Sequence, residues 1–270
     1  KKTPAQAGIY MKPNSNPIEE VDTELHERFR AMVGALIYLM VLTRPDIAYA
    51  VGAVSQHMSN PNEEHERACL RIFRYLKGTQ NYSLKYFKAN HGFNHSDLKG
   101  DADVSFNHSK GLFGVVDSNF MGDFNCKSVT GYIFFSQNGI ICWLSKRQTV
   151  VDTSTSHAET IAYFQAVQEN TYQRRLVKDF NLIKALNGPT LVMGDNQACI
   201  DLIRKDDNMK HARTKHWEMQ WSWLHQEREN HKSFVPKHIA GKDNVADLFT
   251  KPVTQDILQK FVNELKCGSV

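Results

Sequence analysis

Two short apolar runs in the second half of the chain each stop at an aspartate. Leu112-Phe113-Gly114-Val115-Val116 ends at Asp117, and Leu191-Val192-Met193-Gly194 ends at Asp195. Runs of this kind read as buried strands. A side chain at the end of a central strand projects over the sheet edge, so the two acids become neighbours if their strands pair. Two more acids come from helices. Glu159 follows a Thr153-Ser154-Thr155-Ser156 cluster that would cap a helix N-terminus, and Asp247 follows Gly241-Lys242-Asp243-Asn244 near the start of another helix. Four converging carboxylates repel one another, and hard oxygen ligands of this kind are neutralised by Mg²⁺ or Mn²⁺. The quartet points to two-metal phosphodiester chemistry.

The pattern around these acids is that of a mixed α/β sheet. Strands are predicted over about 111–117, 129–136, 140–148, 190–195 and 232–239, with a turn at Gly139; helices are predicted over 156–182, 196–205, about 213–228, 244–250 and 254–266. Trp217, Trp221 and Trp223, with Met219 and Leu224, read as a helix face packed on the sheet rather than as a base-stacking platform. Upstream, one helix is predicted over 24–42, a second is started by Thr43-Arg44-Pro45-Asp46, and a third follows Asn60-Pro61-Asn62-Glu63-Glu64 to about Tyr75. Together they make a small bundle. Residues 82–87 alternate like a strand, and 89–110 are rich in Asn, His, Asp, Lys and Gly, as a connector would be. The division expected is an extended tail or linker over 1–22, a helical part over 23–90, a connector over 91–110 and an α/β domain over 111–270.

Composition narrows the partners more than the fold. With 270 residues, 41% of them apolar, the chain can bury a substantial core. Its longest apolar run, 35–42, is far short of the roughly 20 residues a bilayer span needs, and no secretory leader is expected. Cys69, Cys126, Cys142, Cys199 and Cys267 are scattered singly and read as free thiols of a reducing compartment. A net charge of +4 is compatible with a nucleic-acid partner without demanding one. His211, His216, His225 and His231 lack the paired cysteines of a structural zinc site. Asp101 and Asp103 are rejected as rivals of Asp117, because no apolar strand residues precede them.

Several motifs carry a family resemblance. Val116-Asp117-Ser118-Asn119-Phe120-Met121-Gly122-Asp123, Lys127-Ser128-Val129-Thr130-Gly131-Tyr132, Trp143-Leu144-Ser145-Lys146-Arg147-Gln148, residues 154–159 and Gly194-Asp195-Asn196-Gln197 resemble the ribonuclease H domain of copia-type retrotransposon polyproteins. Arg213-Thr214-Lys215-His216 and Ala246-Asp247-Leu248-Phe249-Thr250-Lys251-Pro252 continue the pattern in the same order. Met32-Val33-Gly34-Ala35-Leu36-Ile37-Tyr38-Leu39, Thr43-Arg44-Pro45-Asp46-Ile47-Ala48-Tyr49-Ala50-Val51 and Arg74-Tyr75-Leu76-Lys77-Gly78-Thr79 resemble the C-terminal end of the adjoining reverse transcriptase. The polymerase's Tyr-X-Asp-Asp box is missing, since the Asp206-Asp207 pair follows Arg204-Lys205, and no polymerisation is expected.

The resemblance implies a ribonuclease H-like mixed five-stranded sheet flanked by helices, preceded by a thumb- or connection-like helical region. It implies an RNA/DNA-hybrid endoribonuclease that uses two Mg²⁺ ions, with Mn²⁺ as a substitute, and leaves 3′-hydroxyl and 5′-phosphate ends. Asp117, Glu159, Asp195 and Asp247 are then the metal-binding carboxylates. His238 matches the place of the mobile histidine of cellular and retroviral ribonucleases H, which assists proton transfer or product release. Ser156, Asn196 and Gln197 are short polar side chains suited to 2′-hydroxyls. Lys146 and Arg147, with Lys127, Arg174 and Arg175, are suited to phosphates. The partners implied are the hybrid and the remainder of the Pol polyprotein, in the cytoplasm, virus-like particles or nucleus. The chain departs from the family at Asn119, Phe120, His157 and Thr160, where a second Asp, a Trp, a Glu and a Tyr are usual. Those departures keep a second expectation open, a remnant that binds nucleic acid or polymerase without cutting. A strand transferase of integrase type fits less well, because its last acid is a helical glutamate where this chain has Asp247.

Overall fold

The computed structural model describes the chain apart from residues 18–21, 87–110, 137–138, 153, 183–185, 187, 206–217 and 265–270. Its strands are β1 (Leu112–Asn119), β2 (Val129–Ser136), β3 (Gly139–Arg147), β4 (Thr190–Gly194) and β5 (Phe234–His238). They form one sheet in the order β3-β2-β1-β4-β5. The first three are an antiparallel meander, whereas β4 runs parallel to β1 and β5 parallel to β4. A parallel neighbour needs a long crossover, which α4 (Thr155–Asp179) supplies between β3 and β4. The helices α5 (Gln197–Arg204), α6 (Glu218–Glu229), α7 (Asp247–Thr250) and α8 (Gln255–Glu264) complete this part. The mixed sheet and its flanking helices match the order of elements expected from the sequence.

Period-two alternation gives the sheet two buried faces. Phe113, Val115, Ile133, Phe135, Leu191 and Met193 join a first core with Phe249, Leu258 and Phe261 of α7 and α8. Leu112, Val116, Tyr132, Phe134 and Val192 join a second with Ala162, Tyr163, Ile200, Ile203 and Leu224 of α4, α5 and α6.

The upstream helices are α1 (Thr23–Leu42), α2 (Ala48–Ser55) and α3 (Glu63–Gly78). Asp22 caps α1 and an Asn62/His65 capping box starts α3. The Thr43-Arg44-Pro45-Asp46 corner ends α1 and enters α2 through a short turn at Pro45–Ile47. Arg44 forks onto Asp46 at 2.8 and 2.7 Å, and the Tyr75 hydroxyl donates to Asp46 Oδ2 at 2.7 Å. Phe29, Val33, Leu36, Ile47, Val51 and Ile72 belong to the same first core as the sheet. Trp143 Nε1 on β3 donates to the Met40 carbonyl at 2.9 Å. Residues ahead of α1 lie along the bundle: Arg71 donates to the carbonyl and hydroxyl of Thr3, and the Lys12 carbonyl lies 2.8 Å from His65 Nε2.

Several details differ from the sequence expectations: β1 runs two residues past Asp117, to Asn119, and Gly139 begins β3 instead of making a turn. Residues 82–87 do not make a strand: Tyr82 forms an isolated bridge, 83–86 carry no regular structure, and Phe87 lies outside the described residues. Here a side chain, not the backbone, meets the sheet, as the Tyr86 hydroxyl donates to the Ile140 carbonyl at 2.8 Å. The aromatic face of α6 is narrower than its composition suggests. Leu224 is fully buried and Trp221 and Trp223 pack partly against the second core, but Met219 is 87% exposed. The helix expected over 244–250 is shortened to α7, preceded by a turn at Gly241–Asp243, and the buried Asn244 side chain accepts from the Ala246 N–H just before it starts. Trp217, His211, His216, Asp101, Asp103, the 213–216 motif and the 91–110 connector lie outside the described residues.

Candidate metal centre

Strand alternation explains how two of the acids meet. Counting on from Phe113 and Val115, Asp117 falls on the first face of the sheet, and counting on from Leu191 and Met193, so does Asp195. The parallel pairing sets Val115 beside Met193, so its continuation brings Asp117 level with Asp195. The first turn of α7 lies against the same face and begins with Asp247. One carboxylate oxygen from each of Asp117, Asp195 and Asp247 lies within 4.8 Å of the other two.

Close backbone approach makes this possible. Gly131 pairs with Asp117 across β1 and β2, and a Cβ there would come 2.6 Å from Thr250 and 2.7 Å from Phe249, so only glycine lets α7 rest on the sheet. Thr250 Oγ1 then donates to Asp117 Oδ2, and Lys251 Nζ pairs with Asp247 Oδ1 at 2.7 Å. A Cβ on Gly241 would stand 3.2 Å from Asp195 Oδ2, so the loop after β5 closes tightly over that acid.

Glu159 arrives from the other side. It lies early on α4, whose N-terminus is capped by Ser154, and α4 packs on the second face. It is 3% exposed, and its Oε2 has no hydrogen-bond partner among the described residues. Although outside the three-aspartate group, it feels their charge: burial, then Asp117 and Asp195, hold its pKa well above the usual carboxylate range. Burial, then Asp247, push Asp117 up to about 7, against the opposing hydrogen bond from Thr250. Burial also raises Asp247, while its ion pair with Lys251 works in the other direction. The Lys251 pKa stands above its ordinary value because Asp247, Asp117 and Asp195 outweigh the effect of burial. A site that buries like charges side by side, and leaves a buried carboxylate oxygen without a donor, matches the needs of a hard divalent cation. All of its donors are oxygens.

The remaining residues singled out from the sequence are dispersed. His238 closes β5, paired in register with Gly194, and so stands at the same end of the sheet as Asp195. Ser156 lies on the first turn of α4, where its carbonyl accepts the Thr160 hydroxyl. Asn196 caps α5 by accepting from the Cys199 N–H at 3.0 Å, and Gln197 donates along that helix to Asp201 at 2.7 Å. Arg147 pairs with Asp123 at 3.1 Å, while Lys146 is exposed. Both line a cleft of about 720 Å³ between residues 1–13, α2, α3 and β3, which none of the three aspartates lines. Arg174 is spent on the Gly188 carbonyl and Thr190 hydroxyl, and Lys127 on the Thr149 carbonyl. Sequence reasoning assigned no role to Thr250 or Lys251. The signal available was their place three and four residues after Asp247, one helical turn on.

Strand order, with Asp117 near the C-terminal end of β1 and Asp195 directly after β4, defines a ribonuclease H-like fold. Among solved structures, LC11-RNase H1, isolated from compost, covers 56% of this chain and 97% of its own at 15% identity and a TM-score of 0.39. No protein-family model matches the chain. The Retrovirus-related Pol polyprotein from transposon TNT 1-94 of Nicotiana tabacum is 35% identical over 88% of this chain, and that from transposon RE1 of Arabidopsis thaliana is 30% identical over 88%. The chain spans 16% and 15% of those two polyproteins. The Secreted RxLR effector protein 161 of Plasmopara viticola is 37% identical over 52% of this chain and 87% of its own. Over 88% of its length the chain is homologous to copia-type retrovirus-related Pol polyproteins.

Proposed function

We propose that the chain is the ribonuclease H of a retrotransposon polyprotein and hydrolyses the RNA strand of an RNA/DNA hybrid. The observation that carries this is the convergence of Asp117, Asp195 and Asp247 on one sheet face, near the C-terminal end of β1, directly after β4 and at the start of α7. Asp117, Asp195 and Asp247 would hold divalent metal, with Glu159 completing the set as two Mg²⁺ ions or Mn²⁺ bind. Bound there, the ions would supply Lewis-acid polarisation of the scissile phosphate and a water of lowered pKa.

The protein's own part is to fix these oxygens and exclude bulk water. Asp117 and Glu159 are almost wholly buried and rigidly placed by β1 and α4. His238, at the end of β5 in register with Gly194, would pass a proton to the leaving 3′ oxygen, leaving a 5′-phosphate on the other product. Of the substrate-binding candidates, Ser156 beside Glu159 and Asn196 beside Asp195 are near enough in sequence to reach a bound strand. The cap uses the Asn196 carbonyl oxygen and leaves its amide NH₂ to donate. Lys146 and Arg147 would take phosphates farther along, in the cleft beside the helical bundle. The bundle itself would join the nuclease to the preceding polymerase.

The test is digestion of an end-labelled RNA/DNA duplex. Mg²⁺-dependent cutting of the RNA strand, abolished by EDTA and by Asp195→Asn, is expected; equal cutting by Asp195→Asn would refute the reading. A second reading draws on the effector relative, which shares over half this chain under an unrelated name. A repurposed copy would keep the fold and bind a hybrid without cutting it.

A further inference from the structure

We propose that Lys251 is a tethered counter-ion of the carboxylate site, an ammonium that occupies cation space in the metal-free protein and yields it to a divalent ion. The inference rests on the metal-binding reading above. Its starting point is a pair that looks ordinary from spacing alone. Lys251 follows Asp247 by four residues, and such pairs on exposed helices contribute little.

This pair is not on an open surface. Asp247 keeps only 16% of its side chain exposed, and its carboxylate belongs to the group whose oxygens lie within 4.8 Å of one another. The backbone has already left the helix at Lys251, at φ −147 and ψ 155, and the side chain turns back to place Nζ 2.7 Å from Asp247 Oδ1. Thr250, one residue earlier, donates to Asp117. Consecutive side chains thus address two different members of the cluster, one with a hydroxyl and one with a positive charge.

Three carboxylates brought this close repel one another, and a single ammonium removes part of that repulsion without any ion from solution. A divalent ion that uses the same Asp247 oxygen must displace it. The lysine can leave, because its side chain is 42% exposed and its four-carbon stem is flexible. The chain therefore carries its own placeholder, and the affinity for Mg²⁺ is set by competition with it.

The experiment compares wild type, Lys251→Met and Lys251→Arg by calorimetric Mg²⁺ titration and by melting in EDTA. Lys251→Met should melt about 2–4 °C below wild type without metal, bind Mg²⁺ about fivefold more tightly, and regain the wild-type melting point at saturating Mg²⁺. Lys251→Arg, which keeps the charge, should stay close to wild type in EDTA. Adding Lys251→Met to Asp247→Asn should change the metal-free melting point no further. A Lys251→Met protein with wild-type melting in EDTA, or with equal or weaker Mg²⁺ binding, would overturn the proposal and leave the nuclease reading standing. Absence of Mg²⁺ binding by wild type would overturn both.

Discussion

Two of the places where the molecule withdraws acids from solvent do so in opposite ways. At the corner between α1 and α2, Asp46 receives two bonds from the Arg44 guanidinium and one from the Tyr75 hydroxyl, and Arg44 also reaches Thr79. Both charged side chains are nearly inaccessible, at 8% and 2%, and both are fully engaged. At the ends of β1 and β4, by contrast, Asp117, Asp195 and Asp247 face one another, and a Glu159 oxygen has no donor. The corner is completed by the chain itself. The strand-end cluster sets like charges side by side, offset in part by Thr250 and Lys251, and perturbed carboxylates of this second kind are the ones that point to functional sites, whereas matched pairs of the first kind point to architecture.

The contrast breaks most clearly under substitution. Asp195→Asn should lower the hybrid-cleavage rate by about 10³-fold, equivalent to about 4 kcal/mol of barrier, with unchanged far-ultraviolet circular dichroism. Asp46→Ala should instead cost about 3–5 kcal/mol of stability in urea unfolding, because it strands a buried guanidinium. Mg²⁺ should not restore it.

pH sharpens the same distinction. Burial and Asp247 raise Asp117 from 3.8 to about 7, so across that window the metal-free native state keeps a proton that the unfolded chain has released. Stability from this group is therefore undiminished below the lower value and falls as pH rises toward the upper one. In EDTA, Asp117→Asn should gain on wild type steadily from about pH 4 to about pH 7 in urea unfolding, and Mg²⁺ should shrink that gain. The smallest effect is expected at the exposed edge. Lys146→Ala should weaken hybrid binding about threefold and reduce the salt slope by about one.

Legibility from the sequence followed the same divide. Asp117 and Asp195 were readable because a short continuous apolar run predicts a buried strand and the acid that follows it lies near that strand's end, although β1 runs on to Asn119. Their common face follows from parity once β1 and β4 pair. Which face α4 would cover is not written in its own residues, so the approach of Glu159 from the opposite side, outside the aspartate group, was not foreseeable. Thr250 and Lys251 were seen only as part of a motif, since their roles depend on α7 lying flat against Gly131. The alternation over 82–87 misled because a tyrosine seeking a sheet edge and a strand pairing with one leave similar patterns.

The first core has a consequence for how the polyprotein can be divided. Phe249 and Leu248 of α7 share that core with the sheet and with Phe29, Val51 and Ile72 of the upstream helices. Trimming the chain back to residue 111 would uncover the part of that face not covered by α7 and α8, and loosen the helix that delivers Asp247. The upstream helices and the sheet thus share one core, and a cut between them would need to leave both halves clasped.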